Sequence, residues 1–298
     1  NGFNLPVPRG FNDSEMRLVL DRLILPRVSA HRPEAIVLQC GSDALEEDPL
    51  ALFHAHRVDL EDAVEPSAKP AARAALAQAA DALTGAVPGT LWLRINALDT
   101  AHAADDLRLL AALRSQGFGI GAMVPKAGDA AALQALPPEV PVLALIETAH
   151  GLGQAHRLGE VPAVQRLAFG SIDYALDLGG LDPADHEALR HARSTLVWAS
   201  RCADLPPPVD GVTPAIDDEA ALAADSAEAR RLGFAARLCI HPRQVAAVHA
   251  ALAPTPEERA WAERVVAAAG EGGAVQLDGR MVDRPVLLRA QRLLAAAR

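Results

Sequence analysis

The chain has 298 residues, half of them hydrophobic and only 3% aromatic, so a sizeable core must be built from Ala, Leu and Val. A formal net charge of −10 argues against a nucleic-acid or anionic-membrane surface, while leaving room for a local basic pocket for a phosphorylated ligand. Three cysteines, Cys40, Cys202 and Cys239, lack metal-like spacing and read as reduced thiols of a cytoplasmic protein. No apolar run approaches the roughly 20 residues that span a bilayer, and the polar, Pro- and Gly-containing opening is unlike a signal peptide.

Ser14 to Val28 has helical periodicity, Glu34-Ala-Ile-Val-Leu-Gln-Cys40 reads as a strand, and Asp43 to Pro49 as a polar turn or helix start. From about residue 55 strand-like runs alternate with Ala-rich helical stretches. The expected strands are Arg57–Asp62, Leu91–Asn96, Gly119–Pro125, Pro141–Thr148, Leu167–Asp173, Pro208–Val212 and Arg237–His241. The expected helices are Ala68–Leu83, Ala103–Ser115, Asp129–Leu136, Gly151–Leu158, Ala184–Ala203 and Asp217–Leu232. Such alternation implies a parallel sheet. Seven strands fall one short of the eight that close a barrel, so the eighth must come from the first 55 residues. The tail, Pro256 to Arg298, reads as a helix, a Gly-rich turn and a second helix added to the barrel.

Charges at the ends of apolar runs carry the chemistry. Glu147 closes Pro141-Val-Leu-Ala-Leu-Ile, and Asp173 follows Leu167-Ala-Phe-Gly-Ser-Ile. In parallel α/β proteins ligands bind at the C-terminal ends of strands. Two carboxylates there suit Mg²⁺, which takes one or two protein carboxylates and fills its octahedron with water and substrate oxygens. The competing reading is a pair of helix N-caps at Thr148 and Asp173. Asp59-Leu-Glu-Asp62 places Asp59 and Glu61 on one side of an extended chain, either to orient a cation or an arginine or as acids at a helix start. Arg94, inside an apolar strand, needs a partner; it reads as an ion pair with Asp59 and Glu61, as a carboxylate clamp for substrate, or as both. Lys126 ends another strand and is either a phosphate or carboxylate contact or a solvated loop lysine. His241 reads as a structural histidine. Asp283 lies between the tail helices, either a general base on a mobile extension or a surface aspartate.

In this order, Asp59-Leu-Glu-Asp-Ala-Val-Glu-Pro66, Leu93-Arg-Ile-Asn96, Met123-Val-Pro-Lys126, Leu145-Ile-Glu-Thr-Ala149, Phe169-Gly-Ser-Ile-Asp173, Asp177-Leu-Gly179, Leu238-Cys-Ile-His-Pro242 and Asp278-Gly-Arg-Met-Val-Asp283 resemble the citrate lyase beta-subunit-like branch of the HpcH/HpaI aldolase/citrate lyase family. The resemblance covers about residues 57 to 298. It implies an α/β fold, a TIM (β/α)₈ barrel with a C-terminal helical extension, that binds Mg²⁺ and takes coenzyme A thioesters as substrates. It further implies cleavage or formation of the carbon–carbon bond of malyl-, citramalyl- or citryl-CoA. By resemblance Glu147 and Asp173 are the metal ligands, and Arg94 grips the substrate's carboxylate or oxo group. Asp59 and Glu61 support Arg94 and the metal's waters, Lys126 and Pro242 help hold the coenzyme, and Asp283 is an acid/base contributed by a neighbouring subunit. The partners implied are a CoA ester and an oxo acid within a homo-oligomer, a trimer or hexamer, with neither nucleic acid nor membrane.

Residues 1 to 53 resemble instead a fragment of the histone deacetylase/acetylpolyamine aminohydrolase family, through Pro8-Arg-Gly-Phe-Asn-Asp13, Arg32 to Asp43 and Asp48-Pro-Leu50. There Asp43 would be a zinc ligand, but the Asp-x-His motif that would accompany it does not occur in the chain. The expected division is therefore a deacetylase-like segment over 1–53 in which Ala35 to Cys40 supplies strand one, a barrel over 54–250 and an extension over 251–298. Alternative functions on the same barrel are an acyl-CoA thioesterase, an oxo-acid aldolase, or a barrel impaired by its altered N-terminus.

Overall fold

The strands β2 (Ala55–Asp59), β3 (Thr90–Arg94), β4 (Ile120–Val124), β5 (Val142–Ile146), β6 (Val164–Phe169), β7 (Val209–Asp210) and β8 (Ala236–Cys239) pair in sequence order, every neighbour parallel. This computed structural model describes residues 44–45, 55–83, 90–269 and 275–295. The expected helix at 14–28, the expected strand at 35–40 and Asp43 lie outside the described residues. The edge of β8 is taken by β1 (Ala44–Leu45), which runs antiparallel with Ala44 opposite Cys239 and Leu45 opposite Leu238. It also comes within 8 Å of β2 between Cα atoms. Among the described residues β1 is hydrogen-bonded to β8 and not to β2, so a two-residue antiparallel strand stands at the seam, where the sequence led to a polar turn.

Between the parallel strands run α1 (Lys69–Leu83), α2 (Ala103–Ser115), α3 (Ala130–Gln134), α4 (Ala149–Gly159), α5 (Ser171–Asp177), α6 (His186–Cys202) and α7 (Glu219–Leu232); α8 (Pro242–Leu252) follows the last. Short polar residues start several of them: Asp129, Thr148, Asp185 and Asp218 each accept a main-chain N–H in the first turn. Gly233, at φ 104°, ends α7 in the left-handed conformation that costs glycine least. The extension is more than two helices. Between α9 (Pro256–Ala269) and α10 (Arg284–Ala295) stands a hairpin of β9 (Val275–Leu277) and β10 (Arg280–Val282). Asp278 and Gly279 turn it with positive φ, as a tight hairpin turn requires. Its apolar residues join a cluster with the two helices, around Ala262, Val265, Val282 and Ala290.

Side-chain alternation divides the core. Trp92, Met123, Leu143, Leu145, Ala168, Val209, Ala236 and Leu238 pack together inside the curled sheet. Their strand neighbours, among them Val58, Leu93, Val124, Ile146 and Phe169, face the helix layer. Successive residues of a strand point to opposite faces, so Arg94 shares the inner face with Trp92, and Glu147 shares it with Leu143 and Leu145. On the outer face Asp210, Arg193 and Arg237 form a buried ion cluster, Asp210 lying 3.0 Å from each guanidinium, which ties β7 and β8 to α6. Among the described residues no helix is long and apolar enough to cross a membrane.

Candidate active site

Asp59 and Arg94 end adjacent strands in direct register. Asp59 receives Arg94 Nε on Oδ1 at 3.0 Å and Arg94 Nη2 on Oδ2, a bidentate pair with both residues at most 5% exposed. Two residues on, Glu61 Oε2 lies 3.0 Å from Arg94 Nη1, an ion-pair contact that falls short of hydrogen-bond geometry. Leu60 points the other way into the outer core, and Asp62 is exposed. The acids around position 60 therefore follow strand alternation. Burial alone would lower the Arg94 pKa; the Asp59 hydrogen bonds and the charges of Asp59, Glu61 and Glu147 outweigh it and raise it.

Lys126 follows β4 at φ 50°. Its Nζ donates to Glu61 Oε1 at 2.6 Å, and its main-chain N–H donates to Glu147 Oε1 at 2.8 Å. The ammonium lies 4.0 Å from Glu147 and 3.9 Å from Asp62. It is a half-exposed member of the cluster and not a free loop lysine.

Glu147 is 1% exposed at the inner mouth of the sheet. Burial first, then the charges of Glu61 and Asp173, push its pKa up to about 8, against the opposing effect of Lys126. Gly170 makes room for it: a Cβ there would stand 2.4 Å from Glu147 Oε2. Asp173 is not at a strand end as expected. The apolar run breaks at Gly170, which starts α5, so Asp173 lies in that helix's first turn, half-buried. Neither acid is an N-cap: Thr148 caps α4 by accepting from Gly151 N at 3.0 Å, and α5 begins at Gly170.

Among the described residues no group of three or more His, Cys, Asp or Glu is placed to hold a metal. What the site offers is two carboxylates, the low protein count that suits Mg²⁺. The donor set fits a dication on its own chemistry. Glu147 is a fully buried acid beside two more acids, Glu61 and Asp173, and its pKa is raised first by burial and then by their charges, both of which a bound cation would offset.

Two of the expected site residues lie apart from this cluster. Asp283 sits between β10 and α10, where Oδ1 accepts from Val286 N at 3.3 Å, and among the described residues no hydrogen bond or ion pair joins it to the barrel acids. Pro242 is the first residue of α8, behind His241, whose Nδ1 accepts from Arg243 N at 3.1 Å as a helix cap; the Pro242 side chain lies outside the described residues.

Several supporting residues were not anticipated. Lys69 Nζ donates to the carbonyls of Leu60 and Glu61, both at 2.8 Å. Asn96 Nδ2 donates to Leu60 O at 3.0 Å and to Asp106 Oδ2 at 2.6 Å, and Arg73 Nε donates to Asp106 Oδ1 at 2.6 Å. For Asn96 and Gly170 the sequence held a signal, a polar or small residue within two positions of a strand's end; Lys69 opens an ordinary Ala-rich helix and carried none.

The HpcH/HpaI aldolase/citrate lyase family model matches residues 55–242, and the histone deacetylase domain model matches residues 1–78. A "citrate lyase subunit beta-like protein" of Deinococcus radiodurans is 36% identical over 269 residues, covering 85% of this chain and 93% of that protein. A "(3S)-malyl-CoA thioesterase" of Cereibacter sphaeroides is 32% identical over 244 residues, covering 80% and 85%. Among solved structures, CitE of Mycobacterium tuberculosis, in complex with magnesium, acetoacetate and coenzyme A, superposes with a TM-score of 0.71 at 31% identity over 89% of this chain and 99% of that one.

Proposed function

The chain belongs to the HpcH/HpaI aldolase/citrate lyase family, and we propose that it is a Mg²⁺-dependent carbon–carbon lyase acting on 3-hydroxyacyl-CoA thioesters of the malyl-, citramalyl- or citryl-CoA type. The observation that carries the reading is Glu147: a buried acid beside Glu61 and Asp173, at the C-terminal end of a parallel strand, with a pKa raised by burial and by those two acids. Magnesium in two structures of one solved relative, CitE of Mycobacterium tuberculosis, one holding coenzyme A and acetoacetate and the other pyruvate, supports it.

In this reading Glu147 and Asp173 hold Mg²⁺, whose chemistry is to polarise the oxo and carboxylate oxygens of the substrate and to template their placement. Arg94 grips the oxo-acid end. Its fixed positive charge stabilises the oxo-acid oxygen as an alkoxide, charge that passes to the thioester enolate as the carbon–carbon bond breaks and returns to that oxygen in condensation. Asp59 and Glu61 hold the guanidinium in one orientation, so no reorganisation is needed during the reaction. Lys126 and the segment at Pro242 hold the coenzyme. Asp283 returns or removes the proton at the acetyl carbon, delivered by the extension of a neighbouring subunit, since within one chain it is unconnected to the barrel acids. That makes the working enzyme a homo-oligomer, which we read as a trimer or hexamer, and its cysteine usage reads as cytoplasmic. The chain then divides into a deacetylase-like segment over 1–53, the barrel over 54–250 and the extension over 251–298.

The test is incubation with Mg²⁺, acetyl-CoA and either glyoxylate or pyruvate. A 3-hydroxyacyl-CoA product is the expected result. Free CoA alone would favour a thioesterase, the reading supported by likeness to the malyl-CoA thioesterase. Absence of both products would mean a barrel that the altered N-terminus has disabled.

A further inference from the structure

We propose that Lys69 is a positioning residue of this site. Its buried ammonium fixes the main chain at Leu60 and Glu61 and so aims the Glu61 carboxylate between Arg94 and Lys126. The activity readout rests on the lyase reading above; the metal readout does not.

Lys69 is 5% exposed, although lysine is among the residues least often fully buried and an ammonium out of water is costly. It is also the first residue of α1, where the helix macrodipole disfavours a cation. The stability of the helix therefore does not account for it on either count. What accounts for it is the loop before the helix: its Nζ donates to two main-chain carbonyls of that loop, Leu60 O and Glu61 O. Asn96 holds Leu60 O from the other side at 3.0 Å, and Glu61 N donates to Asp59 Oδ1 at 2.9 Å. Leu60 N also donates to Arg94 O at 2.9 Å and Val64 N to Glu61 O at 3.1 Å, so both amides and both carbonyls of residues 60–61 are held, and Lys69 is the side chain that bridges the two carbonyls.

The side chain so aimed is the one on which the cluster converges. Glu61 meets Arg94 at 3.0 Å and Lys126 at 2.6 Å, and its charge is among the causes that raise the Glu147 pKa. Loosening the Leu60–Glu61 peptides would let Glu61 rotate away, leaving Arg94 to Asp59 alone, freeing the Lys126 ammonium and altering the field at the proposed metal ligand. Lys69 touches none of these groups directly, so its effect must pass through Glu61.

A double-mutant cycle on the full chain tests this, with Lys69→Met, Glu61→Gln and their combination. Mg²⁺ alone is titrated by calorimetry, and turnover is followed by the condensation assay. In the wild-type background Lys69→Met is expected to weaken Mg²⁺ binding about threefold or more and to lower kcat about tenfold or more with little change in KM. In the Glu61→Gln background it is expected to change either by less than about twofold, because coupled residues are not additive. Equal losses on both backgrounds would show a merely structural role, and no loss on either would show no role; both overturn the proposal. If Lys69→Met does not fold, Lys69→Arg, which keeps the charge but not the donor geometry, carries the same cycle. If wild type binds Mg²⁺ without turning over, the lyase reading fails, and the calorimetric cycle still decides Lys69.

Discussion

Lys126 holds Glu147 through its main chain and Glu61 through its side chain, with N···Oε1 of 2.8 Å and Nζ···Oε1 of 2.6 Å. One residue at φ 50° thereby fixes the distance between the acid proposed to bind metal and the acid that orients Arg94. Its cation does not offset burial and the neighbouring charges of Glu61 and Asp173, so Glu147 remains well above the usual carboxylate range.

The first prediction follows from that imbalance. With a pKa of about 8, Glu147 in the metal-free protein carries a proton through the neutral range, and Mg²⁺ must displace it. Apparent Mg²⁺ affinity should rise nearly tenfold per pH unit from about pH 6 and level off above about pH 8. The folded pKa is raised above the ordinary glutamate value of 4.5, so between those values the folded state binds more protons than the unfolded one. The metal-free protein should therefore lose stability as pH climbs from about 4.5 to about 8, and saturating Mg²⁺ should remove that slope. Calorimetric titrations and thermal melts across this range check both statements; an affinity flat from about pH 6 to about pH 9 would contradict the assignment.

Gly170 offers a steric test of the same acid. Its φ is −90°, so alanine meets no backbone penalty there. An alanine Cβ would nevertheless stand 2.4 Å from Glu147 Oε2 and 2.5 Å from Glu147 Cβ. Gly170→Ala should displace the Glu147 side chain and weaken Mg²⁺ binding by about tenfold or more, a loss on the scale of a disturbed metal site. Calorimetry with Mg²⁺ reads it directly, and a variant that binds Mg²⁺ like wild type would refute the cradle.

Much of this site was legible in the sequence because the strands are buried on both faces. An apolar run without alternation leaves a charged residue conspicuous, and Asp59, Arg94, Lys126 and Glu147 all lie where such runs end. Asp173 was placed correctly along the chain but not in its element. Ile172 continues the apolar run, and only the break at Gly170 reveals that a new helix has begun. The start of α8 had a readable signal, a capping His241 before a Pro at the first helical position. The hairpin in the extension had another, the Asp278-Gly279 pair, yet it read as an unspecified turn. β1 could not be read at all: two residues carry no periodicity, and their pairing with β8 is set by the fold rather than by local pattern.

The Asp59–Arg94 pair predicts a large stability cost when only one partner is removed. Both side chains are buried and doubly bonded. Asp59→Asn would leave the guanidinium without its bidentate counter-ion, a change that typically costs about 3–5 kcal/mol. Glu61, 3.0 Å from Nη1, retains part of the pairing, so the lower end of that range is expected. Urea unfolding measures it as a lower midpoint at unchanged slope. A loss below about 1 kcal/mol would place the pair with the weak surface ion pairs.

The two described thiols should differ sharply in reactivity. Cys239 is fully buried in β8 against Leu222, Val248 and Leu252, and burial pushes its thiol up to about 12, only partly countered by Arg237. Cys202 ends α6 and is exposed. Alkylation depends on the thiolate and on access. In the folded protein at neutral pH, iodoacetamide should modify Cys202 and spare Cys239, which becomes reactive only in denaturant. Peptide mapping after alkylation separates the two sites. Modification of Cys239 in the native state at the rate of Cys202 would mean that β8, which carries the antiparallel pairing to β1, opens far more readily than its buried packing implies.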